Sequence, residues 1–317
     1  MKIVIVDAYT LNPGDLSWDK ISTLGDVEIY DRSTDAELID RCIDANIVLT
    51  NKVSFNKDLI EKLPNLKLIA VTATGYNIID IEAASKKGVV VCNVPDYGTD
   101  SVAQHTFALI LELANKVGKH SLSVANGDWQ KCADFSYALT PLIELKDKTL
   151  GLVGFGNIGK RTAEIARAFG MKVLYHTPHK KDTSLAEYRD LSSIFQESDF
   201  ISLHLPLNKD NKGFVNRDLI STMKPGAFLI NTSRGQLINE QDLADALNSN
   251  KIAGAAIDVL SKEPPSTDNP LLTARNIVIT PHNAWMSKEA RVRIMDTTFV
   301  NIQGYLSGKI INQVSSN

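Results

Sequence analysis

Four features of the sequence carry residue types at spacings that could do chemistry. Gly154-Phe155-Gly156-Asn157-Ile158-Gly159 is a G-x-G-x-x-G. It directly follows the apolar run Leu150 to Val153 and opens a stretch with Ile158, Thr162, Ile165, Ala166 and Phe169 at helical spacing. In that context Gly154 permits a tight turn, Gly156 lets backbone approach a pyrophosphate, and Gly159 lets helix pack close to strand. The N–H groups at the helix start, with the helix dipole behind them, then hold the anion. The other three features are single ionisable residues: Arg234 after Ala227 to Asn231, Glu263 after Ile252 to Val259, and His282 after Ile277 to Thr280. Each follows a strand-like apolar run, and ligands of open parallel sheets bind beyond the carboxyl ends of their strands.

One Arg, one Glu and one His converging on a carbonyl match the reduction of a 2-oxo acid. A guanidinium fork holds the planar carboxylate in a fixed orientation. Hydride arriving at the carbonyl carbon leaves an oxyanion that needs a proton, and imidazole titrates nearest neutral pH. A carboxylate bonded to an imidazole fixes its tautomer and favours its protonated form. Singly, each residue has an ordinary explanation: a loop histidine, an arginine paired with Glu240 or capping a strand end, a solvated glutamate before Pro264. Their joint occurrence, in this order beside a phosphate loop, is what points to a site. After the next strand, Tyr175-His176-Thr177-Pro178-His179-Lys180-Lys181 lacks the carboxylate that usually grips a ribose hydroxyl. Either the basic cluster accepts a 2′-phosphate or Thr177 or His176 bonds the ribose. NAD and NADP both stay open, with NAD the first choice.

Strands and helices must position these residues. Ile3 to Val6, Val27 to Tyr30, Ile47 to Leu49, Leu66 to Val71 and Val89 to Cys92 read as strands covered on both faces, rich in Val, Ile and Leu without polar alternation. Helical stretches lie between them, with Ser17, Thr34 and Asn56 as caps. A break at Asp96 to Thr99 precedes a long helix expected from Asp100 or Ser101 to about Lys119. Gly127 to Glu144 shows no period. Alternation resumes with strands Leu150 to Val153, Lys172 to Tyr175, Phe200 to Leu205, Ala227 to Asn231, Ile252 to Val259 and Ile277 to Thr280. A last amphipathic helix covers Ser287 to about Leu306. The expected fold is α/β, with two doubly wound parallel-sheet domains that part near residue 99, a return crossing near Ser287, and a cleft between them. At 317 residues the chain exceeds the roughly 250–300 at which a single core stops growing.

Composition removes several classes of function. Lys+Arg 34 against Asp+Glu 37 gives a net charge of -3 without a basic tract, so a nucleic-acid partner is not expected. The apolar runs are far shorter than the ~20 residues of a membrane span. Met1 to Asp7 reads as a buried strand, not a signal peptide. Cys42, Cys92 and Cys132 are odd in number and widely spaced, which predicts neither disulfides nor a metal site. A reduced, soluble, cytoplasmic protein is expected.

Taken together, several stretches make the sequence resemble the D-isomer-specific 2-hydroxyacid dehydrogenase family over nearly its whole length. They are Thr74-Gly75-Tyr76-Asn77-Ile78-Ile79-Asp80, Ser101-Val102-Ala103-Gln104-His105-Thr106, the glycine loop, Asn231 to Gly235, Asp258 to Pro264, and Pro281 to Trp285. Thr50-Asn51-Lys52-Val53, Tyr97-Gly98-Thr99 and Ala284-Trp285 bring it nearest to the glycerate dehydrogenases, also called hydroxypyruvate reductases. The resemblance implies a Rossmann-type cofactor domain, residues 100–286, inserted into a flavodoxin-like substrate domain made of residues 1–99 plus 287–317, and a homodimer paired through the long helix near residue 101. It implies reduction of hydroxypyruvate, or of a similar small 2-oxo acid such as glyoxylate. Arg234 would orient substrate, His282 do acid/base work and Glu263 serve as its partner. Asp258 would bond the nicotinamide carboxamide. Thr74 and Gly75 would present backbone N–H groups to the substrate carboxylate, with Lys52 either facing substrate or solvated. The implied cofactor contacts are the glycine loop with Asn157 and Ile158, then His176, Thr177, Thr232, Ser233, Ala284 and Thr74. The sequence departs from the family pattern at His176, where an acidic residue is common, and at Asn283, where an apolar residue is frequent. Two other readings are weighed. A dinucleotide-sensing scaffold resembling the transcriptional corepressors of this fold is disfavoured by the lack of long disordered tails. A formate dehydrogenase is disfavoured by Glu263, which that subgroup replaces with Gln.

Overall fold

The continuous apolar runs form strands because each must be covered on both faces. In the computed structural model, which describes residues 1–315, Lys2–Ile5 (β1), Asp26–Ile29 (β2), Ile47–Thr50 (β3), Leu68–Val71 (β4) and Val90–Cys92 (β5) make one sheet. Its order is β2-β1-β3-β4-β5, parallel throughout, which is the flavodoxin-like order. Alternate residues serve opposite faces: Val4, Val48 and Ile69 enter one core, Ile3, Leu49 and Leu68 the other. Helices Ala8–Leu11 (α1), Asp19–Ser22 (α2), Leu38–Cys42 (α3), Lys57–Lys62 (α4) and Ile81–Lys86 (α5) make the crossovers. Asn56 caps α4 as expected, accepting from the Leu59 N–H at 2.9 Å. Ser17 and Thr34 act a step earlier than expected. Ser17 Oγ accepts from the Asp19 N–H at 3.0 Å, and Thr34 bonds the Glu37 carboxylate before α3 begins.

The second sheet holds Thr149–Val153 (β6), Lys172–His176 (β7), Glu187–Tyr188 (β8), Phe200–Leu203 (β9), Phe228–Asn231 (β10), Gly254–Ile257 (β11) and Ile277–Ile279 (β12). Its order β12-β11-β10-β9-β6-β7-β8 is parallel throughout and is the dinucleotide-binding order with one added strand. The strand order changes direction between β6 and β9, with β7 and β8 to one side and β10 to β12 to the other. Thr99–Asn115 (α6), Val117–Ala125 (α7), Asn157–Ala168 (α8), Leu191–Glu197 (α9), Arg217–Ser221 (α10) and Glu240–Asn248 (α11) accompany it. The last helix, Lys288–Leu306 (α12), is capped by Ser287 and buries Ile302 on the first sheet. The chain divides into two compact units, Met1–Tyr97 with the chain from Met286 onward, and Gly98–Trp285.

Three expectations change. The long helix does not reach Lys119: it stops at Asn115, and Lys116 takes a left-handed conformation (φ 51°) before α7 starts. The apolar period that predicted one helix ends at Leu113, and the Glu112 side chain accepts the Gly118 N–H at 3.1 Å, stabilising the restart. The strand over 252–259 is regular only over Gly254–Ile257, the rest being loop. Two-residue β8 was not foreseen, since an exposed edge strand needs no apolar run. Among the described residues no helix is long and apolar enough to cross a membrane, and no cluster of His, Cys, Asp and Glu is arranged to hold a metal.

Candidate active site

Strands β10, β11 and β12 lie side by side, so their carboxyl ends share one edge of the sheet. Beyond β10, the Ser233 N–H bonds Asn231 Oδ1 at 3.0 Å and Asn231 Nδ2 donates to the Arg234 carbonyl at 2.9 Å, which turns the chain sharply. Ser233 Oγ ties the turn to the Leu203 carbonyl at 2.6 Å. Arg234 is exposed, with Nη1 donating to the Ser233 carbonyl at 2.7 Å. The ion pair with Glu240 that the sequence allowed does not form. Glu240 instead accepts from the Ser261 N–H and hydroxyl at 2.7 and 2.6 Å and from Asn269 Nδ2 at 3.0 Å.

Gly235 links this turn to the next loop. A Cβ there would run into the backbone of Leu260, so only glycine allows the approach. The Leu260 N–H in turn donates to Glu263 Oε1 at 2.9 Å, and Glu263 Oε2 meets His282 Nδ1 at 2.6 Å. A carboxylate oxygen only accepts, so Nδ1 carries the hydrogen and Nε2 faces away from the pair. The His282 and Glu263 side chains are 28% and 37% exposed, open enough for a ligand to reach the ring.

His282 has a left-handed backbone (φ 52°), a conformation costing a non-glycine residue roughly 1–2 kcal/mol. Its loop is held accordingly. The His282 N–H donates to the carbonyls of Asp258 and Thr280 at 2.8 and 3.0 Å. The Asp258 carboxylate, sealed from solvent, accepts from the N–H groups of Asn283 and Ala284, both at 3.0 Å, and from the Thr280 hydroxyl at 2.6 Å. Asp258 thus has a loop-fixing job that the sequence did not announce. Helix α6 reaches the same loops through Ser101, His105 and Thr106. The available signal was a pair of polar residues, Ser101 and His105, at i, i+4 spacing beside the buried apolar positions of the helix.

At the reversal between β6 and β9, Gly154 has φ 99°, and a Cβ would strike the His204 carbonyl. In front of Gly156 a Cβ would meet no protein atom within 4 Å. Helix α8 begins there with no side-chain cap and no acidic residue in its first turn. Open space before a positive helix end fits a pyrophosphate. His204, just past β9, shares a hydrogen bond of 2.9 Å with Ser202 Oγ through Nε2, while its Nδ1 is sealed without a partner. Burial lowers its pKa to about 4. His176 closes β7: its carbonyl accepts the Gly154 N–H at 2.9 Å and its Nδ1 donates to the Arg189 carbonyl at 3.1 Å. Thr177 Oγ1 donates to the His179 carbonyl at 2.7 Å, and Lys181 Nζ to the Phe155 carbonyl at 2.9 Å. Two members of the basic cluster are therefore bound to the protein itself.

The remaining sequence candidates stand at strand ends of the first unit. Exposed Lys52 follows β3, and exposed Thr74, with Gly75, follows β4. Thr74 Oγ1 donates to the Val94 carbonyl at 2.8 Å. Sequence reasoning missed Asp7. Its buried carboxylate accepts the N–H groups of Asn51, Lys52 and Val53 at 2.9, 2.6 and 3.1 Å, fixing the loop that carries Lys52. Burial raises its pKa, and these N–H groups oppose the rise. An acid directly after a wholly apolar strand was the legible signal.

The family model for the D-isomer specific 2-hydroxyacid dehydrogenase NAD binding domain matches residues 107–284. A hydroxypyruvate reductase of Blautia hydrogenotrophica is 46% identical over 99% of this chain and 100% of its own length. A glycerate dehydrogenase of Methylorubrum extorquens is 38% identical, with 89% of this chain and 90% of that protein covered. A solved acyclic imino acid reductase, in complex with NADPH and D-Arg, matches the fold with a TM-score of 0.87 at 36% identity, covering 99% of this chain and 100% of that one. With its nucleotide domain matched as a whole and full-length relatives at this identity, the chain belongs to the D-isomer-specific 2-hydroxyacid dehydrogenase family.

Proposed function

We propose that this protein reduces hydroxypyruvate, or a similarly small 2-oxo acid such as glyoxylate, to the D-2-hydroxy acid with a reduced nicotinamide dinucleotide. The observation that carries the reading is the 2.6 Å contact between His282 Nδ1 and Glu263 on the strand edge that also bears Arg234. Relatives named hydroxypyruvate reductase and glycerate dehydrogenase support it. When bound, the dinucleotide supplies the hydride. Arg234 holds the substrate carboxylate with its planar fork. Glu263 keeps the hydrogen of the His282 ring on Nδ1, so Nε2 is the atom that delivers a proton to the carbonyl oxygen and takes it back in the reverse direction. General acid catalysis of this kind contributes roughly 10²–10⁴ in rate.

The residues we assign to the dinucleotide are Gly154, Gly156, Asn157, Ile158 and Gly159 for the pyrophosphate, His176 and Thr177 for the ribose, and Thr232, Ser233, Asp258, Ala284 and Thr74 for the nicotinamide half. Lys52, Thr74 and Gly75 are assigned to substrate. β7 ends in His176 and carries no carboxylate to repel a 2′-phosphate, so NADH and NADPH are both to be tried. We also assign the protein to the cytoplasm and to a homodimer. Exposed Val117, Leu122, Trp129 and Phe135, on α7 and the segment after it, support self-association.

The test is initial-rate kinetics with hydroxypyruvate, glyoxylate and pyruvate, each with NADH and NADPH, on the native protein and on His282→Ala. Turnover of a small 2-oxo acid is expected, lost by about 10³-fold in the variant while dinucleotide still quenches tryptophan fluorescence. Absence of turnover on all three acids, or an unimpaired variant, refutes the reading.

A further inference from the structure

We infer that one face of α6 positions both catalytic loops: Ser101 and His105 hold the loop carrying His282, and Thr106 holds the loop carrying Arg234. The inference rests on the catalytic reading of His282 and Arg234 given above.

Ser101 and His105 are one helical turn apart and share a face, with Thr106 one step round. Their neighbours Val102, Ala103 and Phe107 are buried hydrophobics, so polar groups here need partners inside the protein. Each finds one on a functional loop. Ser101 Oγ donates to the Ala284 carbonyl at 2.6 Å. His105 Nε2 lies 3.1 Å from Thr280 Oγ1 and 3.5 Å from Asp258 Oδ1.

The direction of these bonds follows from proton counting. The Thr280 hydroxyl gives its one hydrogen to Asp258 at 2.6 Å, so towards His105 its oxygen can only accept. His105 Nε2 therefore bears the hydrogen, and the order is His105 to Thr280 to Asp258. Asp258 collects the N–H groups of Asn283 and Ala284, the two residues after His282. His105 and Ser101 thus grip the loop at its two ends, with the left-handed His282 between them. Thr106 Oγ1 likewise spends its hydrogen on the Val102 carbonyl at 2.8 Å. At 3.1 Å it can only accept from Thr232 Oγ1, which anchors the turn leading into Arg234. These are positioning residues. None needs to touch substrate.

The test compares His105→Leu, which removes the donor, with His105→Gln, whose amide restores one at the reach of Nε2, and adds Ser101→Ala. In His105→Leu, kcat should fall by about 10- to 100-fold, as misplacing a catalytic group does, with dinucleotide Kd rising by a much smaller factor than kcat falls. His105→Gln should recover most of that loss, and Ser101→Ala should lower kcat by a larger factor than it raises the KM for dinucleotide. Native kcat in His105→Leu, equal losses in the leucine and glutamine variants, or a parallel weakening of dinucleotide binding overturns the inference. Should the leucine variant not fold, native kcat in Ser101→Ala overturns it. His282→Ala is measured beside them. If it keeps native turnover, or the native protein has none, the catalytic reading has failed, a result distinct from any loss confined to α6.

Discussion

The decisive atoms are few. Glu263 gives one oxygen to the Leu260 N–H and the other to His282 Nδ1, so the same carboxylate fixes its own loop and the ring. Glu263→Gln keeps an acceptor but removes the charge that stabilises a protonated ring during turnover. We expect kcat to fall about 100-fold with dinucleotide affinity unchanged, read by steady-state kinetics and fluorescence titration; a kcat within threefold of native would assign Glu263 to the loop alone. His204 gives a pH prediction. Burial lowers its pKa from the ordinary 6.5 to about 4, so the unfolded chain takes up a proton that the folded chain resists. Stability is then intact above about pH 6.5 and declines as pH falls towards 4, by about 3 kcal/mol at most. Urea denaturation across that range should show the decline, and His204→Asn should flatten it.

At the scale of elements, the loop joining β6 to α8 separates two roles of glycine. Gly154 is required by the fold, since its φ is 99° and the His204 carbonyl fills the space where a Cβ would go. Gly156 faces open space, so the protein tolerates a methyl group there and a bound pyrophosphate does not. Gly156→Ala should leave the unfolding free energy from urea denaturation within about 0.5 kcal/mol of native yet weaken NADH binding at least tenfold. Native affinity in calorimetric titration would mean that the cofactor lies elsewhere. The sharp turn was readable because glycines at that spacing after an apolar strand have few other uses. The end of α6 at Asn115 was not, because neither Gly nor Pro marks it and Lys116 adopts a left-handed conformation that its side chain does not announce.

For the whole molecule, a run of exposed apolar groups lies on α7 and the irregular segment beyond, with Phe135 91% exposed and Trp129 52%. Polar replacement of both, Trp129→Ser with Phe135→Ser, should convert a dimer to a monomer in light-scattering chromatography. A native protein that already runs as a monomer, or a variant that stays dimeric, would remove the dimer assignment. The sequence alone determined the parallel α/β architecture, since continuous Val, Ile and Leu runs can be satisfied only as strands covered on both faces. It also determined the residue types after β10, β11 and β12, because strand ends and their punctuation are local in the chain. Tertiary structure decided how those residues are held. Ser101 and Ala284 bond across 183 positions, and Thr280 and Asp258 across 22. Asp7 takes the N–H groups of a loop more than forty residues on. Such bonds depend on which strands lie side by side and how a helix is docked upon them. No periodicity within a segment records that, because the energy of each bond belongs to a pair of elements and not to either one alone.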